Sequence, residues 1–197
     1  MNENHAKLCP SPEWAAWLQG EILPPLAAGV TLGDEMLEIG PGPGAATGWL
    51  RHKVKRLVAL EADEQAASDL AAKHAGTNVE VRTGDATAMP FADGSFDSAG
   101  SFTMLHHIPT AALQDRLLSE VLRVLRPGGV LIGSDSLAGN DLHHFHADDT
   151  YNPVEPAAFL TRLQVIGFRK ITISVDYVLT FTAHKPAAEE AEEAGAS

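Results

Sequence analysis

An α/β fold is predicted by three observations: three layers, with helices on both faces of a seven-stranded, mostly parallel sheet that ends in an antiparallel hairpin. Short apolar, β-rich runs alternate with stretches of helical period from about residue 33 to residue 166, and strands separated by helices return parallel through right-handed crossovers. The first apolar run, Met36-Leu37-Glu38-Ile39, breaks into Gly40-Pro41-Gly42-Pro43-Gly44 and then into a helical composition, which is the strand, tight loop, helix order of a ligand-binding turn. Two late runs, 171–175 and 177–184, follow each other so closely that they must pair antiparallel, because a parallel return needs about a dozen residues.

Residues 1–32 read as an N-terminal helical cap. Ser11-Pro12-Glu13 starts a helix, with a serine cap and proline at the first helical position, and Trp14, Trp17 and Leu18 then share one face. That face covers either the core or a ligand. Pro24-Pro25 is expected to close the segment. Strands are expected at 35–39, 56–61, 79–83, 96–101 and 130–135, with helices at 45–52, 63–74 and 109–125 between them. Leu113, Leu117, Val121 and Val124 give the last helix an apolar stripe, and Arg126-Pro127-Gly128-Gly129 stops it. A further helix at 155–166 ends at Gly167. The main domain spans 33–186. The long connection at about 136–156 reads as a lid over substrate, and 187–197, alanine and glutamate without large apolar residues, as a disordered acidic tail.

The 197 residues, 45% of them hydrophobic, suffice for one sizeable core in one domain. The formal charge of -12 stays acidic when the tail glutamates are left out, which disfavours a polyanion such as nucleic acid as partner. The single cysteine, Cys9, forbids an internal disulfide and fits a reducing compartment. No apolar run is as long as a membrane span, and the N-terminus lacks the charged start and apolar block of a leader. A cytoplasmic protein that does not enter the membrane is expected.

The glycine turn admits two readings. Gly40-x-Gly42-x-x-Ala45 satisfies the dinucleotide fingerprint, and Glu61 lies about the right distance downstream to hold a ribose, so an NAD(P)-dependent oxidoreductase is one. Pro41 and Pro43, however, remove two backbone donors from a phosphate cradle. Acids also stand at the ends of the first three strands: Glu38, Glu61 and Asp85. Such a site suits a cation, and S-adenosylmethionine is a sulfonium nucleoside without phosphate.

The chain carries, in order, Leu37-Glu38-Ile39-Gly40-Pro41-Gly42-Pro43-Gly44, Leu57-Val58-Ala59-Leu60-Glu61, Gly84-Asp85-Ala86, Met89-Pro90-Phe91, Ser95-Phe96-Asp97, Leu105-His106-His107 and Leu125-Arg126-Pro127-Gly128-Gly129. With these pieces at this spacing it resembles the class I S-adenosylmethionine-dependent methyltransferases from about residue 33 to residue 186, and within them the branch of the ubiquinone and menaquinone C-methyltransferases. The resemblance implies their Rossmann-like methyltransferase fold, S-adenosyl-L-methionine as cofactor, and methyl transfer by in-line displacement to an O, N or C atom of a small molecule. It implies that Gly40, Gly42 and Gly44 let backbone approach the methionine end, and that Glu38 steers its ammonium from behind. Glu61, with Ala62 beside it, would accept the ribose hydroxyls, Asp85 and the Ala86 N–H would meet the adenine, and Ser101 would border the site. A non-catalytic S-adenosylmethionine-binding module is the third reading.

Catalytic groups are less defined. His106 and His107 follow the fourth strand, and His143 and His146 lie in a polar stretch after the fifth. Each is a candidate base, since histidine titrates near neutrality; the alternatives are a helix-start histidine bonded to backbone and a solvated loop. The histidines and aspartates of that stretch also have the chemistry of metal ligands, but no metal is assigned. Met89-Pro90-Phe91 reads either as packing on adenine or as core. Ser101-Phe102-Thr103-Met104 stands where base-directed methyltransferases carry an Asn/Asp-Pro-Pro-aromatic motif, which is a second argument against nucleic acid. The basic cluster at 51–56 falls at the sheet end opposite the cofactor and reads as a solvated face.

Overall fold

The computed structural model describes residues 11–138 and 150–188. The expectations placed on His143, His146 and the rest of 139–149, and on 189–197, lie outside the described residues. In chain order the elements are α1 (Pro12–Trp17), a π-helical turn (Leu18–Ile22), α2 (Leu23–Ala28), β1 (Glu35–Ile39), α3 (Thr47–Leu50), β2 (Arg56–Glu61), α4 (Glu64–Lys73), β3 (Val79–Thr83), β4 (Phe96–Phe102), a 3-10 turn (Leu105–His107), α5 (Ala111–Val124), β5 (Leu125–Asp135), α6 (Pro156–Ile166), β6 (Arg169–Val175) and β7 (Leu179–His184).

The strands form one sheet in the order β3-β2-β1-β4-β5-β7-β6. The first five run parallel, and β7 lies antiparallel between β5 and β6. The central strands are buried on both faces, as parallel strands covered by helices must be. Alternate residues feed two cores: Leu37, Val58 and Leu131 join the α5 and α6 side with Leu117, Val121 and Phe159, while Met36, Leu57 and Ile132 join the N-terminal helices through Leu18, Leu23 and Leu26. Strand order reverses between β1 and β4, the point at which an open α/β sheet leaves a crevice at its carboxyl edge. Among the described residues no helix is long and apolar enough to cross a membrane.

Three local expectations are corrected. Pro24-Pro25 does not close the N-terminal segment: both prolines occupy the first turn of α2, where backbone N–H groups have no helical partner and proline costs nothing. The helix ahead of them widens, with the Leu23 N–H donating to the Leu18 carbonyl, so the chain stays helical through the pair. The helix after the glycine turn starts only at Thr47 and is four residues long, because Gly44 N–H closes a turn on the Pro41 carbonyl at 2.9 Å and spends two more residues turning. Strand β5 absorbs the predicted Arg126-Pro127-Gly128-Gly129 turn. Phe96 pairs with Leu125 and Ser98 with Val130, so the intervening residues bulge, with Gly128 at φ +80°.

The amino end of the sheet is laced by ion pairs. Arg126 bridges Glu35 and Asp97 at 2.6 Å each, Arg56 meets Glu80 at 2.6 Å, and Lys55 meets Asp34 at 2.8 Å. The 51–56 cluster therefore lies where the sequence places it, away from the crevice.

Candidate active site

At the carboxyl edge, over the reversal between β1 and β4, lies a cavity of about 520 Å³. Its floor is the turn 40–44, and all three glycines there have positive φ: +60°, +52° and +82°. Two are spoken for by packing. A Cβ on Gly40 would fall 2.3 Å from Met104 Cγ, and one on Gly44 would fall 2.4 Å from Leu70 Cδ1. Gly42 faces open space, with nothing within 4 Å of the same construction, and it lines the cavity. Gly40→Ala is thus expected to lose about 3 kcal/mol of stability, from left-handed strain plus overpacking. Gly42→Ala should lose only about 1–2 kcal/mol, from strain alone, while still weakening ligand binding. Urea unfolding read beside ligand calorimetry separates the two.

None of the turn's glycine N–H groups is left for a phosphate. Gly40 N–H donates to the Leu60 carbonyl at 2.9 Å, Gly44 N–H to the Pro41 carbonyl at 2.9 Å, and Gly42 N–H to Glu61 Oε2 at 2.9 Å; Pro41 and Pro43 have no N–H. A pyrophosphate-binding turn works by offering those donors outward.

The walls are acidic. Glu61 ends β2 with its carboxylate held by three backbone donors: Gly42, Ala62 at 2.9 Å and Asp63 at 3.1 Å. Asp85 follows β3, and its oxygens accept from Thr87 N–H at 2.7 Å and Thr87 Oγ1 at 2.9 Å. Those bonds hold its carboxyl below the usual aspartate range, so it is ionised at neutral pH. Glu38 is 1% exposed and accepts from Thr47 Oγ1 at 2.7 Å. Burial pushes its pKa up to about 7, against the lowering effect of the Thr47 bond and with a smaller upward push from the Glu61 charge. Asp63 also lines the cavity, whereas among the described residues no lysine or arginine does.

The opposite wall is apolar and comes from the end of β4 and the N-terminal helices. Phe102, Met104 and Ile108 line it, with His107 among them, and Trp14 and Leu18 close over the top. Gln19 Nε2 donates to the Ala45 carbonyl at 2.7 Å, tying this roof to the glycine turn. A second groove near the other end, lined by Ala27, Trp49 and Lys53 among others, has neither the glycine turn nor a cluster of acids.

A family model described as a methyltransferase domain matches residues 37–133, from β1 to within β5. A probable S-adenosylmethionine-dependent methyltransferase of Mycolicibacterium smegmatis is 31% identical over 102 residues, covering 52% of this chain and 38% of that protein. The demethylmenaquinone methyltransferase of Beutenbergia cavernae is 32% identical over 106 residues, covering 54% of this chain and 42% of that protein. The matches thus span less than half the length of these curated relatives. In fold, a methyltransferase structure from Methanosarcina mazei superposes with a TM-score of 0.67 at 20% identity, over 83% of this chain and 98% of that one. Residues 37–133 carry a methyltransferase domain.

The cavity fits S-adenosylmethionine, on which the Mycolicibacterium smegmatis relative is dependent by name: it has a cation-suited set of acids, an open glycine and no phosphate cradle. Of the residues expected to hold it, Glu38, Gly40, Gly42, Glu61, Ala62, Asp85 and Ala86 line the cavity, whereas Gly44 and Ser101 do not. Gly44 instead makes room for Leu70. Ser101 is buried at the end of β4, and its Oγ has no hydrogen-bond partner among the described residues. The two adjacent histidines part company: His107 lines the cavity, and His106 turns inward, 2% exposed, with Nδ1 2.6 Å from Asp135 Oδ1. Met89 and Phe91 belong to the core rather than the cavity. Phe91 meets Phe96 edge-on at 5.1 Å, and Met89 N–H donates to Glu120.

Sequence reasoning left out Thr47 and Gln19. Thr47 lies nine residues beyond its partner Glu38, a spacing with no periodicity to betray it. Gln19 reaches a carbonyl 26 residues on. The Trp14 and Leu18 stripe was legible as a stripe; that part of it roofs a ligand cavity was one of two readings.

Proposed function

We propose that the protein catalyses transfer of the methyl group of S-adenosylmethionine to an O, N or C atom of a small molecule. The observation that carries this reading is the acidic cavity above a glycine turn whose donors are all satisfied internally. A sulfonium nucleoside meets favourable charge there; a dinucleotide meets carboxylates and no free turn amide. Bound there, the cofactor supplies an electrophilic methyl whose sulfur keeps the electron pair of the broken bond, leaving S-adenosylhomocysteine.

Glu61 accepts the ribose hydroxyls through the lone pairs its three backbone donors leave over, since a carboxylate has about four acceptor positions. Glu38 compensates the ammonium of the amino-acid end. The apolar wall, with Trp14 and Leu18 above it, excludes water and aims the acceptor, the main tasks left once the methyl is activated. His107 takes the proton the acceptor gives up.

The acceptor is a small molecule rather than a nucleic acid, a reading supported by the net acidity of the chain and by a cavity without cationic lining among the described residues. Calorimetry decides the cofactor: S-adenosylhomocysteine is expected to bind and NADH to leave no heat, and the converse sinks the proposal. A panel of hydroxylated, amine and activated-carbon acceptors, scored by S-adenosylhomocysteine release, separates an enzyme from a module that only binds.

A further inference from the structure

His106 and Asp135 are buried, at 2% and 0% exposure, and neither lines the cavity, so the reaction above gives them no task. Burying an ionisable pair is costly, and apolar residues of similar volume usually serve folding as well or better. The pair nevertheless anchors the turn that carries His107, since His106 is that turn's middle residue.

At the end of β5, Asp135 is met by two backbone donors and by the His106 ring. Oδ2 accepts the Leu105 N–H at 2.8 Å, and Oδ1 accepts the Ser136 N–H at 2.7 Å and lies 2.6 Å from His106 Nδ1. A carboxylate that already serves two backbone donors can only accept from the ring, so the ring hydrogen belongs on Nδ1. The His106 ring in turn lies against His107, with centroids 4.2 Å apart and planes at 42°. The rest of the turn is pinned from outside. Gln114 Nε2 donates to the Leu105 carbonyl at 2.9 Å, Asn152 N–H to the His106 carbonyl at 2.7 Å, and Asn152 Nδ2 to the Ile108 carbonyl at 3.0 Å.

We propose that Asp135 and His106 are positioning residues. Asp135 fixes the His106 ring with its hydrogen on Nδ1, and that fixed ring sets both the place and the basicity of His107 as acceptor of the substrate's proton. The purpose of the arrangement rests on the methyl-transfer reading; its measurement does not. Among the described residues, the titratable groups near His107 include His106 beside it and the acids that line the same cavity, Glu38, Glu61, Asp63 and Asp85. Asp135 stands behind His106, and the Tyr151 ring lies 5.8 Å from the His106 ring. Removing the Asp135 charge while the other carboxylates stay lowers the attraction for a proton on His107.

Long-range proton–nitrogen NMR of the imidazoles tests this on the intact chain. In the wild type, His106 is expected to carry its hydrogen on Nδ1 across the neutral range. In Asp135→Asn that preference is lost and the His107 titration midpoint falls, while S-adenosylhomocysteine affinity by calorimetry stays within about threefold, because neither residue lines the cavity. His106→Asn, which leaves Asp135 a donor but removes the ring, is likewise expected to move the His107 midpoint. The proposal is overturned if wild-type His106 holds its hydrogen on Nε2, a result that needs no variant to fold, or if both variants leave the His107 midpoint in place. Failure of the wild type to bind S-adenosylhomocysteine would instead overturn the methyl-transfer reading and leave the histidine measurement standing.

Discussion

Glu61→Ala is expected to weaken S-adenosylhomocysteine binding by at least about 100-fold, because two hydrogen bonds to a carboxylate are worth roughly 1.5–3 kcal/mol each. The effect is large for a structural reason as well. Glu61 Oε2 accepts the Gly42 N–H and Oε1 the Ala62 and Asp63 N–H groups, so the carboxylate arrives pre-oriented and no ordering cost falls on binding. Glu61→Gln should fare little better, since its amide nitrogen would oppose one of those backbone donors. Calorimetry gives the affinity, and a thermal melt shows that the fold survives. An alanine variant that binds within about threefold of wild type would remove the ribose assignment.

The second large effect is a pH dependence set by Glu38. Its folded pKa of about 7 lies above the ordinary glutamate value of 4.5 because burial disfavours the charged form. Between those values the native state holds a proton that the unfolded state has released, so stability falls as pH rises from about 4.5 to about 7 and this contribution is flat above. At 1.36 kcal/mol per pH unit the loss is roughly 3 kcal/mol. Glu38→Gln should abolish that slope and raise the ligand-free melting temperature at pH 8. The same variant should weaken S-adenosylmethionine, whose ammonium favours the ionised carboxylate; wild-type binding near pH 7 is accordingly expected to release protons, seen as a buffer-dependent heat. The depressed carboxyls, among them Asp85, Asp97 and Glu120, act in the opposite sense and in a lower window, losing their contribution as pH falls below the ordinary carboxylate range. A melting temperature that rises through pH 4.5–7 would contradict the Glu38 assignment.

Much of this was readable from spacing. The alternation of apolar runs and amphipathic stretches made the parallel sheet, and the short gap between the last two runs made the hairpin. Both signals are local: period two, period three to four, and a loop length too short for a crossover. Glu38, Glu61 and Asp85 were found because each ends or directly follows a strand, and an open sheet gathers its strand ends along one edge. Where sequence reasoning erred, two local rules competed. Pro24-Pro25 looks like a stop, yet a π-turn that begins at Leu18 lets the same prolines start a helix.

Composition and order along the chain were enough to settle the fold class, the row of acids at the strand ends and the absence of two donors from the glycine turn, because these follow from residue types at fixed distances from strand ends. Packing decided the rest. That Gly42 rather than Gly44 faces the cavity depends on where Leu70 of a later helix falls. That His107 enters the cavity while His106 meets Asp135, 29 residues on, depends on how β5 lies beside β4. That Glu38 holds its proton to about pH 7 depends on burial, which no single residue carries: it arises only when distant segments close around the same volume.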